Sequence, residues 1–540
     1  MDNGEKCLPL PRFGLTAYGK DAAEPRAGRR NPVRKKPADS RIMIILTTII
    51  LYFGLLMALS RWTAHRQASN DTFFRGNRQS PWYLVAFGMI GASISGVTFV
   101  SVPGMVLKSD MTYLQTCLGF IFGYLVVAFV LLPVYYKYNL TTIYSYLHER
   151  LGKRSYKTGA SFFLLSKMTG AAVRFYLVCM IIHQVMGLGS ATGGLAGPAA
   201  GGAAGPGVGS AVADYLAFLL IVVAMVVLIW LYTRRGGIKT LVWTDSLQTA
   251  CMLLALLLII YKVAGAMDMS WSETLRAIAS DEHSRVFVWD DWVSRQNFWK
   301  QFLSGIFIVI VMTGLDQDMM QKNLSCHTLR DAQKDMSCYG LAFVPVNLLF
   351  LSLGVLLVLL ARQEGVAMPA NGDELLPMFA ATGRLGVAVQ VLFALGVVAA
   401  AFSSADSALT ALTTSFCVDI CGRKDDERLR RRVHVGMAVA FVLFVLLFRV
   451  LNSTSVIDAV YILCSYTYGP LLGLFAFSLL THKTTNDRYV PYIAVASPLV
   501  CYALDAFTIH RWGYHFGYEL LMLNGLLTFL GLWLLGLARK

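Results

Sequence analysis

The chain has 540 residues, of which 56% are hydrophobic and only 15% are charged, and its formal net charge is +15. Soluble domains carry roughly 25% charged residues, so this composition excludes an ordinary soluble enzyme or nucleic-acid-binding domain. We therefore expect a polytopic membrane protein that lies in the lipid bilayer and has no nucleic-acid partner.

Thirteen apolar segments follow one another along the chain, and most are long enough to cross a membrane as helices. An α-helix needs about 20 residues to cross a hydrocarbon core of roughly 30 Å, whereas a barrel strand needs only about 9–11. This length predicts an all-α polytopic membrane protein with about 13 transmembrane helices. The segments lie at 43–60, 82–107, 113–135, 157–187, 213–233, 241–263, 302–316, 338–361, 384–418, 433–451, 456–480, 490–508 and 517–538.

Lysine and arginine are concentrated in alternate loops and at the C-terminal end of the chain. Cytoplasmic loops are the basic ones in membrane proteins. This distribution predicts a protein of the cell inner (plasma) membrane with its C-terminus in the cytoplasm and its N-terminus outside. The basic loops are 61–81, 136–156, 234–240, 317–337, 421–432 and 481–489.

Residues 1–42 form a basic tail that disagrees with this orientation, because the tail would lie outside. Its proline and glycine content predicts disorder rather than a folded domain. Two explanations stay open: Met43 is the biological start, or the tail has little influence on topology.

Several classes of function find no support in the motifs. The ten cysteines lie mostly within apolar segments and are expected to be small buried hydrophobic residues. No phosphate-binding glycine motif follows a strand, so ATP-driven transport is not indicated. A membrane-embedded enzyme would need a constellation of histidines or nucleophiles, and His183 alone does not make one, so we predict no enzymatic activity.

One apolar segment contains an unusual run of polar residues, "SSADSALTALTT" at 403–414. Helical spacing places Ser403, Asp406, Ser407, Thr410 and Thr414 on one stripe. Hydroxyl groups alone are explained equally well by contacts between helices. An Asp near the middle of a membrane costs about 2.5–3.5 kcal/mol and needs a partner or a cation, so the stripe favours an ion site.

A second polar interruption, "GMIGASISGVTF" at 88–99, contains three glycines and two serines. Glycine tolerates irregular backbone, and serine can satisfy the polar groups that an unwound helix frees. Helices broken near the membrane midplane are typical of secondary transporters.

Several motifs in this order make the chain resemble the sodium:solute symporter family over 43–538. The resemblance implies a LeuT-type 5+5 inverted repeat, with one extra N-terminal helix at 43–60, repeats at 82–263 and 302–480, and two C-terminal helices at 490–538. The motifs are "NDTFFRGNRQSPW", "GASISGVTFVSVPG", "TTIYSYLHERLG", "RRGGIKTLVWTDSLQ", "GLDQDMMQKNL", "LRDAQKD", "SSADSALTALTT" and "YTYGPLLGLFAF".

The same resemblance implies a Na⁺ site made only of oxygen atoms, with Na⁺ as the only metal and the only cofactor. It maps onto the backbone carbonyls of Gly91, Ile94 and Ala400 and the hydroxyls of Ser403 and Ser404. Asp245 matches an acid associated with Na⁺ release, and in some members with a further Na⁺ site. Such a second cation site would include Asp245, Asp406 and Ser407, altered because family members carry a hydroxyl where this chain has Asp406.

The substrate cavity implied by the resemblance differs from those of sugar and proline carriers, since Ser93 and Thr98 replace the family residues that contact those solutes. An arginine within a membrane should meet a carboxylate. We therefore predict either an ion pair between Arg174 and Asp406 or capture of an anionic solute by Arg174. The second reading favours a small organic anion. Residues assigned to the cavity are Ser93, Ser95, Thr98, Arg174, Thr313 and Tyr466.

The resulting prediction is a Na⁺-coupled secondary active symporter that imports a small organic solute. Two alternatives stay open: a proton-coupled carrier on the same fold, with Asp245 or Asp406 titrating, and a solute sensor that does not transport. The serine hydroxyls at 403 and 404 favour Na⁺, because proton-coupled relatives can dispense with them.

Overall fold

The computed structural model describes residues 38–63, 70–185, 208–451, 456–514 and 516–537. Within these ranges the regular secondary structure is helical, apart from one isolated bridge between Ser80 and Cys326. The first helix begins at Ala38, so the end of the predicted disordered tail is helical. The rest of that tail, 1–37, lies outside the described residues.

Twenty-one α-helices make up the described chain. They are α1 (Ala38–Thr63), α2 (Asn70–Arg75), α3 (Trp82–Ser93), α4 (Gly96–Ser109), α5 (Tyr113–Val126), α6 (Leu132–Lys137), α7 (Ser145–Arg150), α8 (Lys153–Val185), α9 (Val208–Gly236), α10 (Ile238–Ala266), α11 (Trp271–Ser280), α12 (Phe298–Val309), α13 (Gln317–Asn323), α14 (Leu329–Glu364), α15 (Leu375–Ala380), α16 (Val387–Ser415), α17 (Glu427–Leu451), α18 (Val456–Thr467), α19 (Gly469–Leu480), α20 (Val490–Trp512) and α21 (Leu520–Leu537).

Ten of the described helical segments are long and apolar enough to cross a membrane, and the number is 11 if the bent pair α12–α13 counts as one span. Each of the predicted apolar segments overlaps one or two of the helices α1–α21. The difference from the predicted thirteen has two causes. The helices α3 and α19 are apolar but have only 12 residues each, and the helical segment Gly96–Lys137, which contains α4, α5 and α6, counts as one span.

Breaks in the helices occur where the sequence supplies glycine or polar residues. α3 and α4 are separated by Ile94 and Ser95, whose backbone is not helical. The second break separates α12 with its π-helical end, Ile310–Gly314, from α13, and the chain bends there by 70°. Broken helices free backbone carbonyls and N–H groups inside the protein, as secondary transporters require at their binding sites.

Close helix packing around these breaks depends on small residues. A Cβ atom at Gly119 of α5 would lie 2.1 Å from the carbonyl oxygen of Phe302, and one at Gly305 of α12 would lie 2.3 Å from that of Thr116. The two helices therefore touch through their backbones, as small residues permit in membranes. α10 packs against both α3 and α16, and α8 packs against α16 and α18. This arrangement brings the first break, the polar stripe and Asp245 together.

Candidate ion and solute site

The first break lies against α10 and α16, and glycine makes the close approach possible. A Cβ atom at Gly91 would lie 2.0 Å from the Oγ1 of Thr249 on α10. Ile94 has φ −80° and ψ 84°, so the helical hydrogen-bond pattern ends there. The carbonyl groups of this turn consequently become available to partners other than their own helix.

The serines of α16 contact the two elements that flank them. Ser403 is fully buried and its Oγ donates to Oδ1 of Asp245 at 3.0 Å, while Ser404 Oγ donates to the carbonyl of Ala92 at 3.3 Å. Ala92 lies between Gly91 and Ile94 in sequence. The residues predicted to bind Na⁺ thus lie along one contact between α3 and α16, with Ala400 one turn before Ser404.

These residues offer a hard cation the donors that it prefers. Carbonyl, hydroxyl and carboxylate oxygens suit hard cations, and no sulfur or imidazole ligand is needed. Each serine hydroxyl donates its proton to an acceptor on α3 or α10, so the lone pairs of its oxygen remain available to a cation. The chemistry of the donor set therefore fits Na⁺.

Asp245 has a partner that the sequence analysis did not foresee. Its Oδ2 lies 2.7 Å from Nζ of Lys322 on α13, and both side chains are 1% exposed. The sequence analysis counted Lys322 in a basic cytoplasmic loop at 317–337, and that assignment is wrong for this residue. The short α13 turns inward after the bend, which buries Lys322 between α3 and α16.

A second buried cation, Lys167 of α8, extends this ion-pair network. Its Nζ lies 2.7 Å from Oδ2 of Asp318 and 3.1 Å from Oδ2 of Asp316. Tyr468 donates its hydroxyl to Oδ2 of Asp316 at 2.6 Å, and Asp318 Oδ1 lies 4.0 Å from Nζ of Lys322. The network therefore runs from the serine stripe to the start of α19. The spacing of Asp318 and Lys322, one helical turn apart, was the only feature of the sequence that indicated this network.

Asp406 has partners other than Arg174. Its Oδ2 accepts a hydrogen bond from the hydroxyl of Tyr232 at 2.6 Å, and its Oδ1 accepts from the N–H of Ser407 at 2.5 Å. Among the described residues, no ion pair joins Asp406 and Arg174. In the candidate second cation site of Asp245, Asp406 and Ser407, Asp245 therefore forms an ion pair with Lys322. Asp406 accepts a hydrogen bond from the phenol of Tyr232.

A cavity opens beside the first break, with about 920 Å³ of empty space when the part open to solvent is included. Its wall includes Ser93, Ser95, Thr98, Arg174 and Thr313, all of which the sequence analysis assigned to the substrate cavity. Other lining residues include Tyr113, Phe120, Tyr124, Ser166, Lys167, Met312, Asp316, Tyr339, Cys464 and Tyr468.

Tyr466 does not line this cavity, although the sequence analysis assigned it there. Its ring packs near that of Tyr502, with centroids 6.4 Å apart. Tyr468, two residues later, faces the cavity instead. Residues two positions apart on a helix point in different directions, so only one of the two tyrosines can reach the cavity.

Charges on the cavity wall are unequally matched. Lys167 faces two carboxylates, whereas Arg174 forms no ion pair or hydrogen bond among the described residues. The other polar groups are neutral: Ser93 shares a hydrogen bond with the hydroxyl of Tyr339, which in turn accepts from Tyr124 at 2.7 Å. The cavity therefore presents one positive charge without a counter-charge.

These features define a helical membrane carrier: a broken helix, buried hydroxyl and carboxylate oxygens beside it and a cavity next to the break. The sequence model of the sodium:solute symporter family matches residues 73–197 and 213–487. The chain belongs to this family.

Two bacterial relatives are similar over most of their length. The chain is 22% identical to a sodium/sialic acid symporter of Aliivibrio fischeri over 478 residues, which cover 86% of this chain and 88% of that protein. It is also 22% identical to one of Proteus mirabilis, over 82% of this chain and 86% of the relative. The human sodium/iodide cotransporter is 26% identical over 54% of this chain, which corresponds to 40% of that protein.

The fold matches a solved structure closely. The outward-open, substrate-bound structure of a Na⁺-coupled sialic acid symporter superposes with a TM-score of 0.76 at 19% identity, covering 92% of this chain and 98% of that one. The fold is therefore the predicted LeuT-type arrangement of a multi-pass membrane protein.

Proposed function

We propose that this protein is a Na⁺-coupled symporter that imports a small organic anion. The observation that carries the proposal is Arg174, an intramembrane cation on the cavity wall without a carboxylate partner among the described residues. Leaving a charge unpaired within a membrane-spanning helix is costly, so such a group calls for a ligand of opposite charge. Arginine suits this role because its planar guanidinium binds a carboxylate with two parallel hydrogen bonds.

Lys167 is a less suitable anion receptor, although it lies on the same wall. Its ammonium is already flanked by Asp316 and Asp318 at 3.1 and 2.7 Å. A solute carboxylate there would meet two like charges. The same pair can instead bind hydroxyl or amide groups of a solute whose carboxylate lies on Arg174.

The names of the relatives agree with an anionic solute. They include symporters of sialic acid, a cotransporter of iodide and a transporter of monocarboxylates. Sialic acid and monocarboxylates carry a carboxylate at neutral pH. We therefore place this chain among carriers of small organic carboxylates.

Coupling follows from the position of the ion site. Na⁺ bound by Gly91, Ile94, Ala400, Ser403 and Ser404 would hold the first break against α16. Because Ser93 and Ser95 of that break also line the cavity, the ion completes the solute site. Each ligand then raises the affinity of the other by the same factor. Movement of one helix bundle against the other exposes both ligands to the cytoplasm, with the N-terminus outside.

The test measures thermal stability of the purified protein in Na⁺, K⁺ and choline, with and without N-acetylneuraminate, L-lactate, iodide, proline and a methyl glucoside. We expect stabilisation by Na⁺ alone among the cations, of about 2.7 kcal/mol at 100 times Kd, and an additional effect of an anion only with Na⁺. Ser403→Ala should abolish the Na⁺ effect. Ser478→Ala is the matched control, because that buried hydroxyl donates only to carbonyls of its own helix.

A proton-coupled carrier is the second candidate, and Asp406 favours it. This fully buried carboxylate has a phenol and a backbone N–H as partners and no cation within ion-pair distance among the described residues. Stability that responds to pH and is indifferent to Na⁺ would support this candidate and contradict Na⁺ coupling.

A further inference from the structure

Two neighbouring helices, α9 and α17, each carry a stripe of exposed apolar side chains. The two helices pack against each other, and both are long and apolar enough to cross the membrane. Exposed apolar side chains on a membrane-spanning helix face the lipid chains. The two stripes consist of Leu216, Leu220, Val223 and Val227 on α9 and of Val435, Val439, Leu443 and Leu447 on α17.

Arginines continue both stripes at the end that the predicted topology places in the cytoplasm. Arg234 follows Val227 by seven residues, and Arg432 precedes Val439 by seven residues, so helical spacing aligns each arginine with its stripe. Arg428 lies one helical turn before Arg432 on the same side of α17. The side chains of all three arginines are exposed.

A contact between the two helices shows that these arginines lie at the same depth. Oγ1 of Thr233, the residue before Arg234, lies 3.1 Å from Nε2 of His434, two residues after Arg432. The guanidinium of Arg234 lies over the ring of Trp230, with 5.0 Å between its Cζ and the ring centroid. Tryptophan is enriched at the membrane interface, and arginine extends its charge toward the headgroups there. The arginines therefore border the layer of lipid headgroups.

The charges of this arginine cluster, Arg234, Arg428 and Arg432, are not neutralised by the protein. None of the three forms an ion pair among the described residues, whereas the adjacent Arg431 lies 3.3 Å from Glu427. Basic clusters directly cytoplasmic of a membrane helix attract anionic phospholipids. A guanidinium can also bind a phosphate through two parallel hydrogen bonds. The cluster therefore has the charge and the position to bind a lipid headgroup.

We propose that the arginine cluster binds the headgroup of an anionic phospholipid of the cytoplasmic leaflet. The guanidinium groups donate hydrogen bonds to the phosphate, and the acyl chains lie along the apolar stripes of α9 and α17. A free phosphate ion cannot use these stripes, so the site favours the lipid. The site lies on the lipid-facing surface and does not depend on the proposed function.

The test measures binding of phosphatidylglycerol and of phosphatidylcholine with the same acyl chains to the purified protein in neutral detergent. Native mass spectrometry counts the bound lipids during a titration and gives a Kd for each. Each arginine beside an anionic lipid contributes about fivefold. We therefore expect a preference for phosphatidylglycerol of about 100-fold. Arg428→Gln with Arg432→Gln should weaken phosphatidylglycerol binding about 30-fold and leave phosphatidylcholine binding unchanged.

Arg330→Gln with Arg431→Gln is the matched control. It removes the same charge from two exposed residues on the side predicted to be cytoplasmic, but Arg330 lies on α14 and Arg431 has an acidic partner. The control should retain the preference of the wild type. Arg234→Gln, on the other helix, should weaken phosphatidylglycerol binding about fivefold, which tests the cluster independently of α17.

Three results would overturn the proposal. The first is equal affinity of the wild type for the two lipids. The second is the same loss of affinity in the control as in the Arg428→Gln and Arg432→Gln variant, which would show a general effect of net charge. The third is displacement of phosphatidylglycerol by millimolar inorganic phosphate at constant ionic strength, which would identify a site for the free anion.

Discussion

Replacing Lys322 by Met removes the ammonium from the buried network while keeping a side chain of similar length. The ammonium lies 2.7 Å from Asp245 and 4.0 Å from Asp318, and all three side chains are nearly inaccessible to solvent. Removing one partner of a buried ion pair leaves an uncompensated charge and costs about 3–5 kcal/mol. We expect Lys322→Met to lower the free energy of unfolding by this amount in K⁺ or choline.

Sodium should reduce this loss, because it can take the place of the missing ammonium. Asp245 already accepts a hydrogen bond from Ser403 at 3.0 Å, so the vacated side of its carboxylate adjoins the hydroxyls of the predicted ion site. A Na⁺ bound there in the variant only, at 100 times its Kd and in addition to the Na⁺ that stabilises the wild type as well, would restore about 2.7 kcal/mol. The destabilisation measured in Na⁺ should therefore be about half of that in choline or less.

Equilibrium unfolding of the purified protein in mixed micelles with increasing SDS, followed by tryptophan fluorescence, measures both quantities. Lys157→Met is the control, since Lys157 is exposed and has no ion-pair partner among the described residues. Adding Asp245→Asn to Lys322→Met should recover most of the stability, because it removes the unpaired charge. The reasoning is refuted if the loss is below about 1 kcal/mol, if it is the same in Na⁺ and choline, or if the two substitutions are additive.

Three further outcomes are expected. Arg174→Gln should raise the KM for the transported anion at least about tenfold, which corresponds to the loss of one charge-assisted hydrogen bond of about 1.5–3 kcal/mol. The substitution should not lower the stability of the protein. An unchanged KM in proteoliposome uptake would contradict the role of Arg174. Gly91→Ala should destabilise the protein, because the new Cβ would lie 2.0 Å from Thr249 Oγ1, and Thr249→Ala should partly rescue its thermal stability. Asp406→Asn keeps the shape of the group that Tyr232 binds, so uptake that responds to pH in wild type and in this variant alike would exclude Asp406 as the titrating group.

The sequence analysis located the elements whose chemistry is local. Three glycines and two serines within 88–99 have few uses in an apolar helix, and the break between α3 and α4 falls among them. The polar stripe of α16 was recognisable for the same reason, since consecutive hydroxyls at helical spacing are conspicuous among apolar neighbours. Both features could be predicted because residue type alone restricts the local backbone or burial.

The ion-pair network could not be predicted, because its partners are distant in the chain. Lys322 lies in a polar stretch that has the composition of a cytoplasmic loop, and only the bend before α13 buries it. Lys167 stands in α8 without a neighbouring acid, so nothing in its surroundings predicted Asp316 and Asp318 as partners. Tyr466 shows the same limit on a smaller scale, because choosing between it and Tyr468 requires the rotation of one helix about its axis.

The network also gives the sign of the coupling between ion and solute. Na⁺ beside Ser403 would compete with Lys322 for Asp245, and Lys322 would then interact more strongly with Asp318. Asp318 would in turn hold Lys167 less tightly, which leaves more positive charge on the cavity wall for an anion. Na⁺ would thereby raise the affinity for an anionic solute, as symport requires, and by linkage the anion would raise the affinity for Na⁺ to the same extent. A cationic solute would experience the opposite effect, so the same network that couples Na⁺ to an anion opposes its use for a cation.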